Sequence, residues 1–174
     1  MSNPKFLVVV DMQNDFITGP LGTPEARAIV PRVKEVIASE DWDRIFYLED
    51  THSNSYLGTQ EGRKLPVKHC MMYTEGWQVP RDIKFAHPNV EPTSIMKFGF
   101  GSKYLLNEID DEPYAEIALI GLCTDICVIT NALMIKGTYP EMTVRVVADA
   151  CAGTTPEMHQ KALDVMRSCQ IEVV

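Results

Sequence analysis

No stretch of the sequence is apolar for long enough to cross a bilayer, so a membrane-spanning protein is not expected. Positive charge is also scarce. The 16 Lys and Arg residues face 24 Asp and Glu, a net charge of −8, which argues against nucleic-acid partners and leaves no polybasic patch for a membrane surface. The five cysteines are odd in number and scattered, with no CxxC pair. This argues against a disulfide framework or a Cys-rich zinc site and suits a reducing cytoplasm. The opening MSNPKFLVVVD is expected to enter a strand directly, without a signal peptide. No glycine-rich phosphate fingerprint follows that strand, so a nucleotide cofactor is not indicated. Internal repeats and low-complexity linkers are missing too. With 174 residues, 45% of them hydrophobic and 23% charged, the expectation is one globular domain over 1–174.

What is present is an alternation of short apolar runs with helical patterns. FLVVV (6–10), RIFYL (44–48), SIMK (94–97), IALI (117–120), TVRVVA (143–148) and the last four residues read as six strands. Thr23-Pro24-Glu25 opens a helix that Pro31 restarts or kinks, Ser102 caps another, and Thr155-Pro156-Glu157 opens the last. Strands alternating with helices predict a three-layer α/β/α fold around a six-stranded, mostly parallel sheet. Residues 50–93 stand apart: rich in Gly, Pro, His and aromatics, weakly periodic, and long for a crossover, as functional segments tend to be.

The chain is organised around EIALIGLCTDICVITNALMIK (116–136). A buried strand ends at Gly121. Thr124 is the candidate cap of a helix with Asp125 in its first turn, and Ile126, Ile129, Leu133 and Ile135 lie on or near one side. Cys127 then falls in the first helical turn beyond the C-terminal end of a central strand, where open α/β sheets place their sites and where a thiol ionises most readily. Free cysteine is also a common packing residue, and Cys123 is a competing thiol on the same loop.

In a parallel sheet the C-terminal strand ends share one edge. Asp11 closes strand one, Lys97 closes strand three and Cys127 follows strand four, so a carboxylate, an ammonium and a thiol can meet. A Lys ending a buried strand must find a counter-charge. Asp50 and His52, two apart, face the same way in extended chain, and His69 of PVKHC can complete a two-histidine, one-carboxylate metal set. A turn cap and an ordinary loop histidine are the plainer alternatives.

LVVVDMQNDF, the strand-ending Lys97 and IGLCTDICV resemble the isochorismatase-like cysteine hydrolases, and DTH followed by PVKHC resembles their nicotinamidase/pyrazinamidase branch, over essentially the whole chain. The resemblance implies an Asp11–Lys97–Cys127 triad that hydrolyses a small amide through a thioester and releases ammonia. It implies an oxyanion hole from the N–H groups of Cys123 and Cys127 beside a cis Leu122–Cys123 bond. It also implies a divalent metal (zinc, iron or manganese) on Asp50, His52 and His69 that orients a substrate ring nitrogen. Phe16 matches the aromatic that packs on that ring, and a homo-oligomer, dimer or larger, is implied. The chain departs from the branch in having DTH for DWH, Lys64-Leu65-Pro66 where a Trp often precedes the last metal histidine, and Ile126 where His often precedes the nucleophile. Trp77 or Phe100 are the candidates for the missing stacking partner. These departures bear on the substrate. A carbamoyl or ureido amide is the alternative substrate, and a redox-sensing or binding module built on a reactive thiol is the alternative of another class.

Overall fold

The computed structural model describes residues 3–39 and 41–174. Six strands form one sheet: β1 (Lys5–Val10), β2 (Arg44–Asp50), β3 (Pro92–Lys97), β4 (Glu116–Leu122), β5 (Thr143–Ala152) and β6 (Glu172–Val173). Their spatial order is β3-β2-β1-β4-β5-β6, and every strand pairing is parallel, where the sequence predicted mostly parallel. The helices are α1 (Asn14–Ile17), α2 (Pro24–Ala28), α3 (Val30–Ser39), α4 (Gln60–Lys64), α5 (Arg81–Lys84), α6 (Lys103–Ile109), α7 (Ile129–Thr138) and α8 (Pro156–Ser168).

The side-chain period of two in the strands decides the layers. Phe6, Val8 and Val10 of β1 join Phe46, Leu48, Ile117 and Leu119 in a core covered by α6, α7 and α8. Leu7 and Val9 join Ile45, Tyr47, Ala118 and Ile120 in a second core covered by α3 and α5. With both faces covered, the central strands read as unbroken apolar runs. Pro31 restarts the helix as expected: α2 ends at Ala28 and α3 begins at Val30, with Pro31 in the first turn, where its missing N–H is not needed.

The strand order reverses direction between β1 and β4, and the crevice at such a switch point is where parallel sheets bind ligands. Gly121 makes that crevice possible. Its φ of 114° lies where L side chains are strained, and a Cβ there would run into the Val10 carbonyl oxygen. Two predicted elements differ. β5 continues to Ala152 where the sequence suggested a loop after Ala148. The pairing skips from Leu119–Val146 to Gly121–Cys151, so the extra residues bulge out, and Val147 and Ala150 reach the second core. The segment after β4 does not begin as an α-helix. Val128 N–H reaches back five residues to the Cys123 carbonyl (3.1 Å), so Thr124–Val128 is a π-helical turn that leads into α7. No helix among the described residues is long and apolar enough to cross a membrane.

Candidate active site

The register of the sheet brings the charged residues together. Asp50 and Lys97 are partners at the ends of β2 and β3, and Asp11 N–H extends the β1–β2 ladder by donating to the Leu48 carbonyl (3.0 Å). Asp11 itself takes a left-handed backbone (φ 50°), a conformation Asp tolerates, and this ends the strand's alternation. The Lys97 ammonium sits at the centre, only 1% exposed. It lies 2.9 Å from Asp11 Oδ2, 3.0 Å from Asp50 Oδ1 and 3.5 Å from Cys127 Sγ, and it donates to the Gly99 carbonyl (3.1 Å). The counter-charge demanded of a buried lysine is thus supplied twice. The Asp11 carboxylate is close to both the Lys97 ammonium and the Cys127 thiol, so it can accept the thiol proton.

Burial governs the protonation states. It raises Asp11 to about 6 against the opposing pull of the Lys97 charge. Two carboxylates hold the Lys97 ammonium charged, well above its ordinary range, despite its desolvation. Burial and the Asp11 charge push the Cys127 thiol up, with Lys97 opposing. The expectation of an easily ionised Cys127 is therefore corrected. The thiol is buried and sits in a π turn, and its proton needs an acceptor, which Asp11 is placed to be. Thr124, predicted as a helix cap, instead bonds through its hydroxyl to His159 Nδ1 (2.8 Å).

The Leu122–Cys123 peptide bond is cis, as the resemblance implied. Burial, with Asp125 nearby, raises the Cys123 thiol to about 12, and its sulfur makes no contact with Lys97 like that of Cys127. Cys151 is buried in the core, likewise raised to about 12, and away from the cavity lining.

Beside Asp11, Lys97 and Cys127, the side chains of Asp50, His52 and His69 converge, their candidate ligand atoms all within 4.8 Å of one another. His52 Nε2 lies 2.9 Å from Asp50 Oδ2 and 3.2 Å from His69 Nε2. His69 Nδ1 lies 2.8 Å from the Val67 carbonyl. A carbonyl only accepts, so Nδ1 carries a proton and Nε2 is the nitrogen turned toward the cluster, the usual support of a metal-binding imidazole. Two inward ring nitrogens and one carboxylate suit a divalent transition metal.

Four residues of the site escaped sequence reasoning. Glu61 Oε1 lies 3.7 Å from His52 Nε2 and 3.9 Å from His69 Nε2, contributed by the irregular 50–93 segment where no spacing rule applies. Gln13 is fully buried and brackets Asp50: it accepts from the Asp50 N–H (2.8 Å) and donates to its carbonyl (2.9 Å). Asp15 accepts from the Cys70 N–H (2.8 Å), next to His69. Asn131 donates to the Cys127 carbonyl (2.7 Å) and accepts from the Ser102 N–H (2.9 Å). A polar side chain inside an apolar helical stripe was the available signal for Asn131.

A cavity of about 240 Å³ opens onto these groups. Asp11, Cys127 and His69 lie at its base, and Phe16, Leu65, Phe100 and Ile126 wall it. Of the two candidate stacking partners, Phe100 lines this space. Trp77 does not: its Nε1–H donates to Thr51 Oγ1 (2.9 Å) and its ring meets Tyr73.

A family model described as the isochorismatase domain matches residues 5–174. The chain belongs to the isochorismatase family. It is 24% identical to the nicotinamidase/pyrazinamidase of Mycobacterium tuberculosis, with 97% of each chain covered. The crystal structure of the Bacillus subtilis nicotinamidase/pyrazinamidase superposes with a TM-score of 0.85 at 25% identity, covering 98% of this chain and 99% of that one. The Pyrococcus horikoshii pyrazinamidase, solved in complex with zinc, gives 0.82 at 26% identity, with 98% of each chain covered. Family and relatives together indicate an amidohydrolase acting on carbon–nitrogen bonds.

Proposed function

We propose that this protein hydrolyses a small planar amide such as nicotinamide to the acid and ammonia, with Cys127 as nucleophile. The observation that carries the proposal is the Lys97 ammonium, in contact at once with Asp11 (2.9 Å) and the Cys127 sulfur (3.5 Å). A thiol with a raised pKa is inert until a base takes its proton, and a carboxylate titrating near 6 is ionised at neutral pH and can do so.

In this mechanism the Asp11 carboxylate accepts the Cys127 proton as the sulfur attacks the amide carbon. Lys97 holds the developing thiolate and keeps the Asp11 carboxylate in place. The N–H groups of Cys123 and Cys127 receive the oxyanion. Collapse breaks the C–N bond, the Asp11 proton passes to the leaving nitrogen, and ammonia departs from a thioester. Water, deprotonated by Asp11, then attacks the thioester, and the proton returns to sulfur.

Asp50, His52 and His69 would hold a divalent ion, with Glu61 close enough to join them. An ion held there would provide a Lewis-acidic anchor for a ring nitrogen of the substrate. Phe16 and Phe100 flank the cavity for the ring itself. Zinc has the support of the Pyrococcus relative's complex. A ureido or carbamoyl amide is the second reading, because Leu65 and Ile126 line the cavity where the nicotinamidase branch often has a Trp and a His.

The test is ammonia release from nicotinamide, pyrazinamide and a panel of ureido and carbamoyl amides, with wild-type and Cys127→Ala protein loaded with zinc. Turnover of nicotinamide that vanishes in the variant is expected. Turnover of ureido amides alone would move the substrate to the second reading. Silence across the panel together with an unreactive Cys127 would overturn the enzyme reading.

A further inference from the structure

The turn that carries Cys127 is tied to the junction between β5 and α8 at two consecutive residues. Thr124 is fully buried, and its hydroxyl pairs with His159 Nδ1 in the first turns of α8 (2.8 Å). The next residue, Asp125, accepts from both the backbone N–H (2.8 Å) and the hydroxyl (2.6 Å) of Thr154, two residues beyond β5 and also in the cavity lining. Gly153 closes the joint. A Cβ at that position would lie 2.8 Å from Asp125 Oδ1 and 2.8 Å from His159 N, so the β5–α8 junction presses on the turn with no room for a side chain. On the opposite side Asn131 ties the Cys127 carbonyl to the loop after β3. None of these polar groups touches Lys97 or the Asp50–His52–His69 cluster in the contacts described above.

A lone threonine hydroxyl buried in a turn needs only some partner, and its own backbone commonly supplies one. Here the partner is a side chain 35 residues away, on another helix. A π turn interrupts the regular i→i+4 ladder and occurs mostly as a single turn, often at functional sites. Its orientation decides where Cys127 Sγ and the flanking N–H groups stand, and misplacement by about 1 Å at a reacting centre costs on the order of 100-fold in rate.

We infer that His159, acting through the Thr124 hydroxyl, is a positioning residue for the nucleophile turn, with the Asp125–Thr154 pair as its second anchor. The inference rests on the proposed role of Cys127. His159 makes no contact with the reacting atoms: it holds one end of the turn that presents them.

The experiment compares His159→Leu, which keeps bulk and removes the polar atom, with His159→Asn, whose amide places a polar atom as many bonds from Cα as Nδ1. Three quantities are read on zinc-loaded protein: kcat and KM for the amide, and the rate of Cys127 alkylation by iodoacetamide. In His159→Leu, kcat is expected to fall about tenfold with KM within about twofold of wild type, and alkylation to change at least about threefold. His159→Asn is expected to restore both to within about threefold of wild type. Thr124→Val against Thr124→Ser repeats the comparison from the other side of the bond and decides the matter if His159→Leu does not fold. Wild-type kcat and alkylation in both His159→Leu and Thr124→Val would overturn the inference, as would losses that persist undiminished in His159→Asn and Thr124→Ser. If the wild type releases no ammonia from any amide, the substrate reading fails, and the alkylation rates alone decide the role of His159.

Discussion

The two oxygens of Asp50 face different chemistry: Oδ1 lies 3.0 Å from the Lys97 ammonium, and Oδ2 lies 2.9 Å from His52 Nε2 and 3.4 Å from His69 Nε2. One carboxylate therefore joins the Lys97 ammonium beside Cys127 to the two histidines. Gln13 holds its backbone at both the N–H and the carbonyl, which fixes the carboxylate between the two groups.

Asp50→Asn is expected to damage both halves, whereas His52→Asn damages one. Outer-sphere changes around metals cost about 10–100-fold in affinity, so loss of a ligand carboxylate should cost at least about 100-fold in zinc affinity. Zinc titration checks that arm in both variants. The Cys127 alkylation rate should change only in Asp50→Asn, where Lys97 loses one of its two counter-charges. An identical alkylation rate in the two variants would separate the halves.

The acid limb of kcat/KM should fall near pH 6. Asp11 must be ionised to accept the thiol proton, and burial raises it from 3.8 to about 6. Activity is thus present above that value and lost as pH drops through it. A pH–rate profile still flat at pH 5 would remove Asp11 as the base. Asp11→Asn should abolish turnover at every pH.

Lys97→Met should cost folding stability as well as activity. It strips the ammonium from two buried carboxylates, and breaking a buried pair costs about 3–5 kcal/mol. The penalty has a sign in pH. Without Lys97 the Asp11 carboxyl rises further, so it is neutral in acid and charged in base, and the deficit against wild type should widen as pH rises through 6. Urea unfolding at pH 5 and pH 8 measures the difference, and an equal deficit at the two would refute it.

Gly121→Ala should be among the most damaging single changes outside the charged residues. It demands a left-handed residue with a Cβ against the carbonyl of Val10, the residue that precedes Asp11. A stability loss of at least about 2 kcal/mol is expected. Turnover of the folded fraction should fall as well, because the strand end that carries Asp11 must move. Denaturant midpoints with kcat on the same preparation check both.

Most of the architecture was legible because apolar runs and start signals are local. FLVVV and IALI are buried on both faces, and Thr23-Pro24, Ser102 and Thr155-Pro156 open helices where capping chemistry says they should. The meeting of Asp11, Lys97 and Cys127 was legible because parallel strand ends share an edge. The turn at Thr124–Val128 was not. Its five-residue hydrogen bond to Cys123 and its side-chain tie to His159 depend on elements far off in sequence, and Thr124-Asp125 imitates an ordinary helix start.

By itself, then, the sequence determined which residue types were available and which sheet edge they reach: an acid after β1, a lysine ending β3, a thiol after β4, and two histidines with an acid in an irregular segment. Tertiary structure decided their states and their links. Register placed Asp50 opposite Lys97, packing left Glu61 within 4 Å of both histidines, and Phe100 rather than Trp77 reached the cavity. Burial, a property of the folded whole, moved Asp11 up to about 6 and kept Cys127 protonated. Desolvation sums over every atom that excludes water from a group, and those atoms come from strands and helices that no local window of sequence contains.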